Sequence, residues 1–332
     1  MPAILQVGDH AWVVLVALAI DGLAGGDNRV TARITHPVVA IGKLIGWLES
    51  ALNRDRPGLA SRRVSGIVAV ILLVAVATLA GGLAAAGLAK LPLSFWIEAL
   101  VVAVFLAGRG LYQHVEAVAR GLERGVDQAR AAVRHIVGRD PQSLDAAGVA
   151  RAAIESAAEN FSDAIIAPIF WYLILGLPGL LIYKFVNTAD SMIGYRSSRF
   201  REFGAASARL DDALNFFPAR LSGGLIAIGA WCAGKDGMAA VAAMRDDAAN
   251  HRSPNAGWPE ASMAGALGLA LAGPRIYGAK PVEDAWMNRT GRRAASDADI
   301  RAALRIYIYA LLVAGALVLA LALSAGFPAL SG

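Results

Sequence analysis

Most of the Asp, Asn and Glu residues outside the amphipathic stretches of this 332-residue chain fall into four compact blocks beside or between apolar runs. The first carries Glu155, Glu159 and Asp163. At helical spacing these lie within an arc of about 80°, where three carboxylates repel one another unless a cation or basic side chains sit between them. That pattern points to metal or substrate binding, against the plainer reading of a solvated helix start that favours acids through its dipole. The second block runs from Lys184 through Asn187, Asp190 and Ser191 to Gly194 and Arg196. In a helix Asn187, Asp190, Ser191 and Gly194 share an arc of about 100°, giving hard oxygen donors, a hydroxyl and a gap through which a ligand approaches the backbone. Such a set suits magnesium and phosphate; the alternative is helix packing with polar glue.

The third block places Asp211, Asp212 and Asn215 within about 100° of one another, with Arg209 and Arg220 at its ends to hold phosphate oxygens bidentately. Aspartates so paired serve magnesium-dependent phosphoryl chemistry, in which the metal bridges phosphate oxygens. The fourth holds Arg245, Asp246 and Asp247, then His251, Asn255, Trp258 and Glu260 among two prolines and a glycine, which reads as an ordered binding loop. Gly229 to Lys235 copies the start of a phosphate-binding P-loop. However, Asp236 stands where a Ser or Thr must ligate magnesium, and an apolar run precedes it in place of a soluble strand, so that motif is rejected.

The elements that must position these blocks are membrane helices. Apolar residues make up 57% of the chain and charged ones 17%, against about 25% in ordinary soluble domains. Val64 to Ala89 has no charge over a length that exceeds the roughly 20 residues needed to span hydrocarbon. Spans are expected at residues 64–89, 94–108 and 306–325, with further spans or re-entrant segments at 4–20, 164–186 and 221–233. The run at 164–186 is broken at Gly176-Leu177-Pro178-Gly179 and fits two half-helices, a re-entrant hairpin or one kinked span. Leu221 to Ala233, about 13 residues, is short for a crossing. Val115 to Arg139 is amphipathic and reads best as a solvated helical hairpin. The expected architecture is all-α, a single membrane-embedded domain over residues 1–332, multi-pass in the cell (inner, cytoplasmic) membrane.

Arginines cluster at Arg54, Arg56, Arg62 and Arg63, from Arg120 to Arg151 and from Arg196 to Arg220, which places those stretches on the cytoplasmic side. The net charge of +5 fits such loops and gives no reason to expect nucleic acid. One cysteine, Cys232, excludes an intramolecular disulfide and a cysteine-based metal cluster.

With these blocks in place, the chain resembles the CobD/CbiB family, the adenosylcobinamide-phosphate synthases, over nearly its whole length. The resemblance rests on Asp21 with Gly26-Asp27, His36-Pro37-Val38, Ile136 to Asp140, Ala150-Arg151-Ala152 through Glu155, and Ala158-Glu159-Asn160 with Asp163. It continues through Tyr183-Lys184, Asn187 to Tyr195, Phe203-Gly204, Ala208 to Asp212, Asn215, Pro218 to Leu221 and Ser253 to Gly257. Pro141 replaces the usual Thr after Gly-Arg-Asp, and Gly22 to Thr35 is irregular.

The resemblance implies a membrane enzyme that joins (R)-1-aminopropan-2-ol or its phosphate to adenosylcobyric acid in an ATP-dependent amide synthesis of cobalamin biosynthesis. It implies ATP as co-substrate, Mg2+, a corrinoid substrate, the lipid bilayer and other late corrin-pathway enzymes as partners. Glu159, Asp190, Asp211, Asp212 and Asn215 are then the metal candidates. Lys184, Arg196, Arg209 and Arg220 are candidates for phosphate, and Asn187, Ser191, Asn255 and Trp258 for contact with ligand, Trp258 by stacking on the corrin. Glu155, Asp163 and His251 are candidates for the base. The same aspartates could serve a magnesium-dependent membrane prenyl- or phosphotransferase, and a third reading is a non-catalytic membrane sensor of the same superfamily.

Overall fold

The computed structural model describes residues 3–26, 36–53, 59–137, 141–195, 197–277, 280–282 and 284–326. Asp27, Arg54, Arg56, Arg196 and the Gly138-Arg139-Asp140 stretch lie outside the described residues.

The chain is all-α apart from short strand pairs. Its helices are α1 (Ala3–Ala24), α2 (Pro37–Leu52), α3 (Leu59–Leu88), α4 (Ser94–Phe105), α5 (Gly108–Arg124), α6 (Val126–Val133), α7 (Ala146–Phe161), α8 (Ala167–Ile193), α9 (Ala205–Cys232), α10 (Gly237–Asp247), α11 (Gly257–Leu267) and α12 (Asp297–Ala325). Strands β1 (Leu271–Ala272), β2 (Arg275–Tyr277), β3 (Lys280–Val282) and β4 (Trp286–Met287) form two antiparallel pairs, β1 with β4 and β2 with β3. Side chains cap several helix starts: His36 accepts from Val38 N–H, Asp145 from Gly148 N–H and Asp236 from Ala239 N–H. The rejected P-loop is thus the end of α9, and Asp236 is the N-cap of α10.

Among the described residues six helical stretches are long and apolar enough to cross a membrane: Val7–Ala24, Ala60–Leu88, Ser94–Arg124, Ala146–Ile193, Ala205–Cys232 and Asp297–Ala325. Exposed Ile71, Leu79 and Leu83 on α3 and Leu312, Leu317 and Leu323 on α12 are what a lipid-facing surface requires.

Two expectations change. The 13-residue run at 221–233 is the second half of a 28-residue helix, because the polar third block continues the same α9. In the first block Glu155 and Glu159 keep their spacing within α7, but Asp163 falls in a π-helical turn over Ser162–Ile166, where the regular spacing assumed for it no longer applies. Glu155 is buried while Glu159 is exposed. The amphipathic stretch from Val115 is broken at Gly125 between α5 and α6, as a hairpin requires.

Packing divides the chain into two compact units, one of Met1–Leu106, Ala167–Asn215 and Val318–Gly332, the other of Ala107–Ile166 and Phe216–Leu317. In the first, α8 packs on α1, α2, α3 and α4. Gly81 of α3 lies so close to the Pro178 backbone that a Cβ would collide, the close helix approach that small residues allow in lipid. The α8 helix is kinked at Gly176, with φ 62° and ψ −149°, and Pro178 follows. His10 Nδ1 lies 3.1 Å from the Leu173 carbonyl, so α1 supplies a partner where the helix ladder is interrupted. One turn before the kink the buried Tyr172 donates to Glu98 of α4 at 2.8 Å.

In the second unit α7 packs against α5, α6 and α11, and α10 against α11. Gly229 of α9 meets the backbone of Ala310 on α12 in the same close manner as Gly81. Phe161, Ile154, Ile226 and Met263 are among its fully buried side chains.

Candidate functional site

The last two turns of α8 and the first three of α9, both in the first unit, bring the second and third blocks together. Asp211 is buried and Asp190 and Asp212 are half-buried, and the three carboxylates are close enough for their charges to act on one another. Asn187 donates from Nδ2 to one Asp211 oxygen at 3.2 Å and Asn215 from Nδ2 to the other at 2.9 Å. The Asn215 carbonyl in turn accepts from the Tyr183 hydroxyl at 3.0 Å. Asp211 is therefore oriented by two neutral amides, and these leave part of its acceptor capacity open. Among the described residues neither Asp190 nor Asp211 has a cationic partner.

A turn joins these helices, and two ion pairs pin it. Arg199 donates to both oxygens of Glu49 on α2, at 2.9 and 2.8 Å, and Arg63 of α3 meets Glu202 at 2.8 Å. Asn53 bridges Glu49 and the Arg199 carbonyl. The Arg199 guanidinium beside Glu49 holds its carboxyl below the ordinary value.

Several expected ligands have other work here. Asn215 and Asn187 hold Asp211, so their amides act as supports. The Ser191 hydroxyl donates to the Asn187 carbonyl of its own helix at 2.9 Å. The gap expected at Gly194 is filled by the Asp190 side chain, which lies where a Cβ would project. Lys184 is buried and Arg209 exposed.

The remaining candidates lie in the second unit. Arg220 stacks over Phe216 at 3.6 Å and Trp258 at 4.5 Å from the ring centroids, and its Nη1 reaches Asn255 Oδ1 at 3.4 Å. Ser253 folds the fourth block by accepting from the Asn255 and Ala256 amides. His251 Nδ1 accepts from Ser253 N–H at 3.1 Å, while Nε2 faces Glu260 at 3.8 Å in a buried pair. Glu155 Oε1 accepts from the Ala272 amide at 2.8 Å. Arg245, Asp246 and Asp247 belong to the end of α10 and Trp258 and Glu260 to α11, so of the expected loop only the stretch from His251 to Ala256 lies outside helix.

Sequence gives Tyr183 no role in the site, and it names Glu260 only as a member of the fourth block. Tyr183 stands four residues before Asn187, the one-face spacing that marks a shared helix side; nothing local signals that Glu260 faces His251.

Magnesium uses one or two carboxylates and completes its shell with water and substrate phosphates. Among the described residues no group of three His, Cys, Asp or Glu side chains is arranged to hold a metal ion. Asp190, Asp211 and Asp212 present hard oxygens whose charges repel one another, and among the described residues no cation stands beside Asp190 or Asp211.

A family model described as CobD/Cbib protein matches residues 14–307. A relative named "Cobalamin biosynthesis protein CobD" from Sinorhizobium sp is 49% identical over 318 residues, covering 94% of this chain and 98% of the relative. Relatives of the same name from Rhizobium meliloti (strain 1021) and Rhodobacter capsulatus are 48% and 45% identical, covering 89% and 85% of this chain and 91% and 88% of the relatives. No solved structure matches the chain.

Proposed function

The chain belongs to the CobD/CbiB family, and from that premise we propose that it is a membrane enzyme of cobalamin biosynthesis which forms an amide between a corrinoid carboxylate, that of adenosylcobyric acid, and the amine of (R)-1-aminopropan-2-ol or its phosphate, at the expense of ATP. The observation that carries the role is the near end-to-end match with relatives named for cobalamin biosynthesis. The aspartate cluster supports the chemistry.

A carboxylate is a poor acyl donor, so its oxygen first attacks the γ-phosphorus of ATP and ADP leaves. The amine nitrogen then attacks the acyl carbon, phosphate departs, and the ammonium-derived proton passes to a base. Asp190, Asp211 and Asp212 would hold magnesium, which when bound neutralises charge on the phosphate oxygens. The chain's own part is orientation: Asn187 and Asn215 fix Asp211, and the Glu49–Arg199 and Arg63–Glu202 pairs fix the turn that sets α8 against α9.

The test incubates the purified protein with adenosylcobyric acid, ATP, magnesium and aminopropanol phosphate and reads products by mass. The expected result is the amide and ADP, both abolished by excess EDTA. Folded protein that yields no amide overturns the reading, and turnover undiminished in EDTA overturns its metal.

A further inference from the structure

The second unit carries another cluster, built around Trp286. Glu155 on α7 holds the Ala272 amide of β1, and β1 pairs with β4 through Ala272 and Trp286. The indole is thereby tied to α7, the helix that carries Arg151 one turn before Glu155. The ring also rests directly on Gly273, where φ is +79° and a Cβ would overlap indole carbons. Two guanidinium groups gather over this fixed ring. Arg293 stands 4.5 Å and Arg151 5.9 Å from its centroid, and Arg151 Nη1 donates to the Arg293 carbonyl.

Two cations brought to one aromatic ring repel each other. Cation–π attraction at a partly exposed ring is worth about 0.5–1 kcal/mol and offsets little of that. Neither arginine has a carboxylate partner among the described residues, whereas the neighbouring Arg292 is paired with Asp299 at 2.7 Å. What this arrangement lacks is an anion, and planar guanidinium forks on a rigid support match tetrahedral phosphate oxygens bidentately.

We propose that Arg151 and Arg293, stacked on Trp286, form an oxyanion site that takes a phosphoryl group, either of a soluble phosphate ester or of an anionic lipid headgroup. The inference does not depend on the amide synthesis proposed above.

Pyrophosphate is the probe, titrated by calorimetry and Trp emission into the full chain in nanodiscs, with EDTA present to silence any magnesium-dependent site. In phosphatidylcholine discs the wild type should bind with a change in emission that Trp286→Phe removes, and Arg293→Gln should weaken binding about tenfold or more. Arg293 is exposed, so an unchanged Tm for Arg293→Gln separates lost binding from lost fold. Repeating the titration with phosphatidylglycerol in the disc distinguishes the sources: unaltered affinity marks a site for soluble phosphate, and competition that Arg293→Gln abolishes marks a headgroup site. Equal binding by wild type and Arg293→Gln, or no binding in phosphatidylcholine discs, overturns the proposal and leaves the cluster as packing.

Discussion

Asp190 and Asp211 are both aspartates of one cluster, yet the contacts around them demand different responses to the same substitution. Among the described residues no hydrogen bond ties the Asp190 carboxylate to a neighbouring helix, so Asp190→Asn keeps its shape and removes a charge. We expect kcat to fall about 10²–10³-fold, as when one electrostatic stabiliser is removed, with Tm unchanged. Kinetics and a melting curve on the same preparation check this; a fall in Tm that matches the fall in activity would favour a packing role. Asp211→Asn instead turns an amide donor toward one of two amide donors and leaves it unsatisfied, which should cost about 1–3 kcal/mol of stability. Denaturation in detergent reads that cost directly. Both residues were legible in sequence because a helix preserves their one-face spacing. The individual roles of Asn215 and Ser191 were not, since spacing names a face and cannot tell which neighbour a hydroxyl or an amide already serves.

At the scale of elements, the turn between α8 and α9 depends on Glu49. Its carboxyl titrates below 4.5 in the folded protein because the Arg199 hydrogen bond favours the charged form. Stability from the pair is thus fully present above 4.5 and is lost as pH falls from there through the lower folded-state value. Since Arg199 is largely exposed, Glu49→Gln should lower Tm by only about 1–3 °C at neutral pH. The mutant should also lose less Tm than wild type between pH 5 and pH 3 (~two units of titration); equal losses would remove Glu49 from the account. The long spans were plain from their apolar length. The extent of α9 was hidden because a hydropathy reading stops at its buried aspartates, and the π turn after α7 was hidden because its residues have no composition of their own. The break at Gly176 was visible as Gly-Leu-Pro-Gly, but choosing a kink over a hairpin needed His10, Glu98 and Gly81, which lie on other helices.

For the whole molecule, the arginine-rich stretches make a claim about orientation. In a Cys232→Ser background, single cysteines at Arg134→Cys and Arg201→Cys, both exposed positions, should be protected in intact cells from an impermeant maleimide and should react after permeabilisation. Reaction in intact cells would put those stretches outside and away from ATP.

The kink in α8 bears on how the chain is made. The carbonyls freed at Gly176, in the interior of the 48-residue helical stretch Ala146–Ile193, find no donor in lipid. Their partners on α1, α3 and α4 all precede α8 in the chain and so leave the ribosome earlier. His10→Leu removes the donor that meets Leu173 and should therefore lower the yield of membrane-inserted protein during synthesis, seen as rapid degradation in a pulse-chase, while α3 inserts as before.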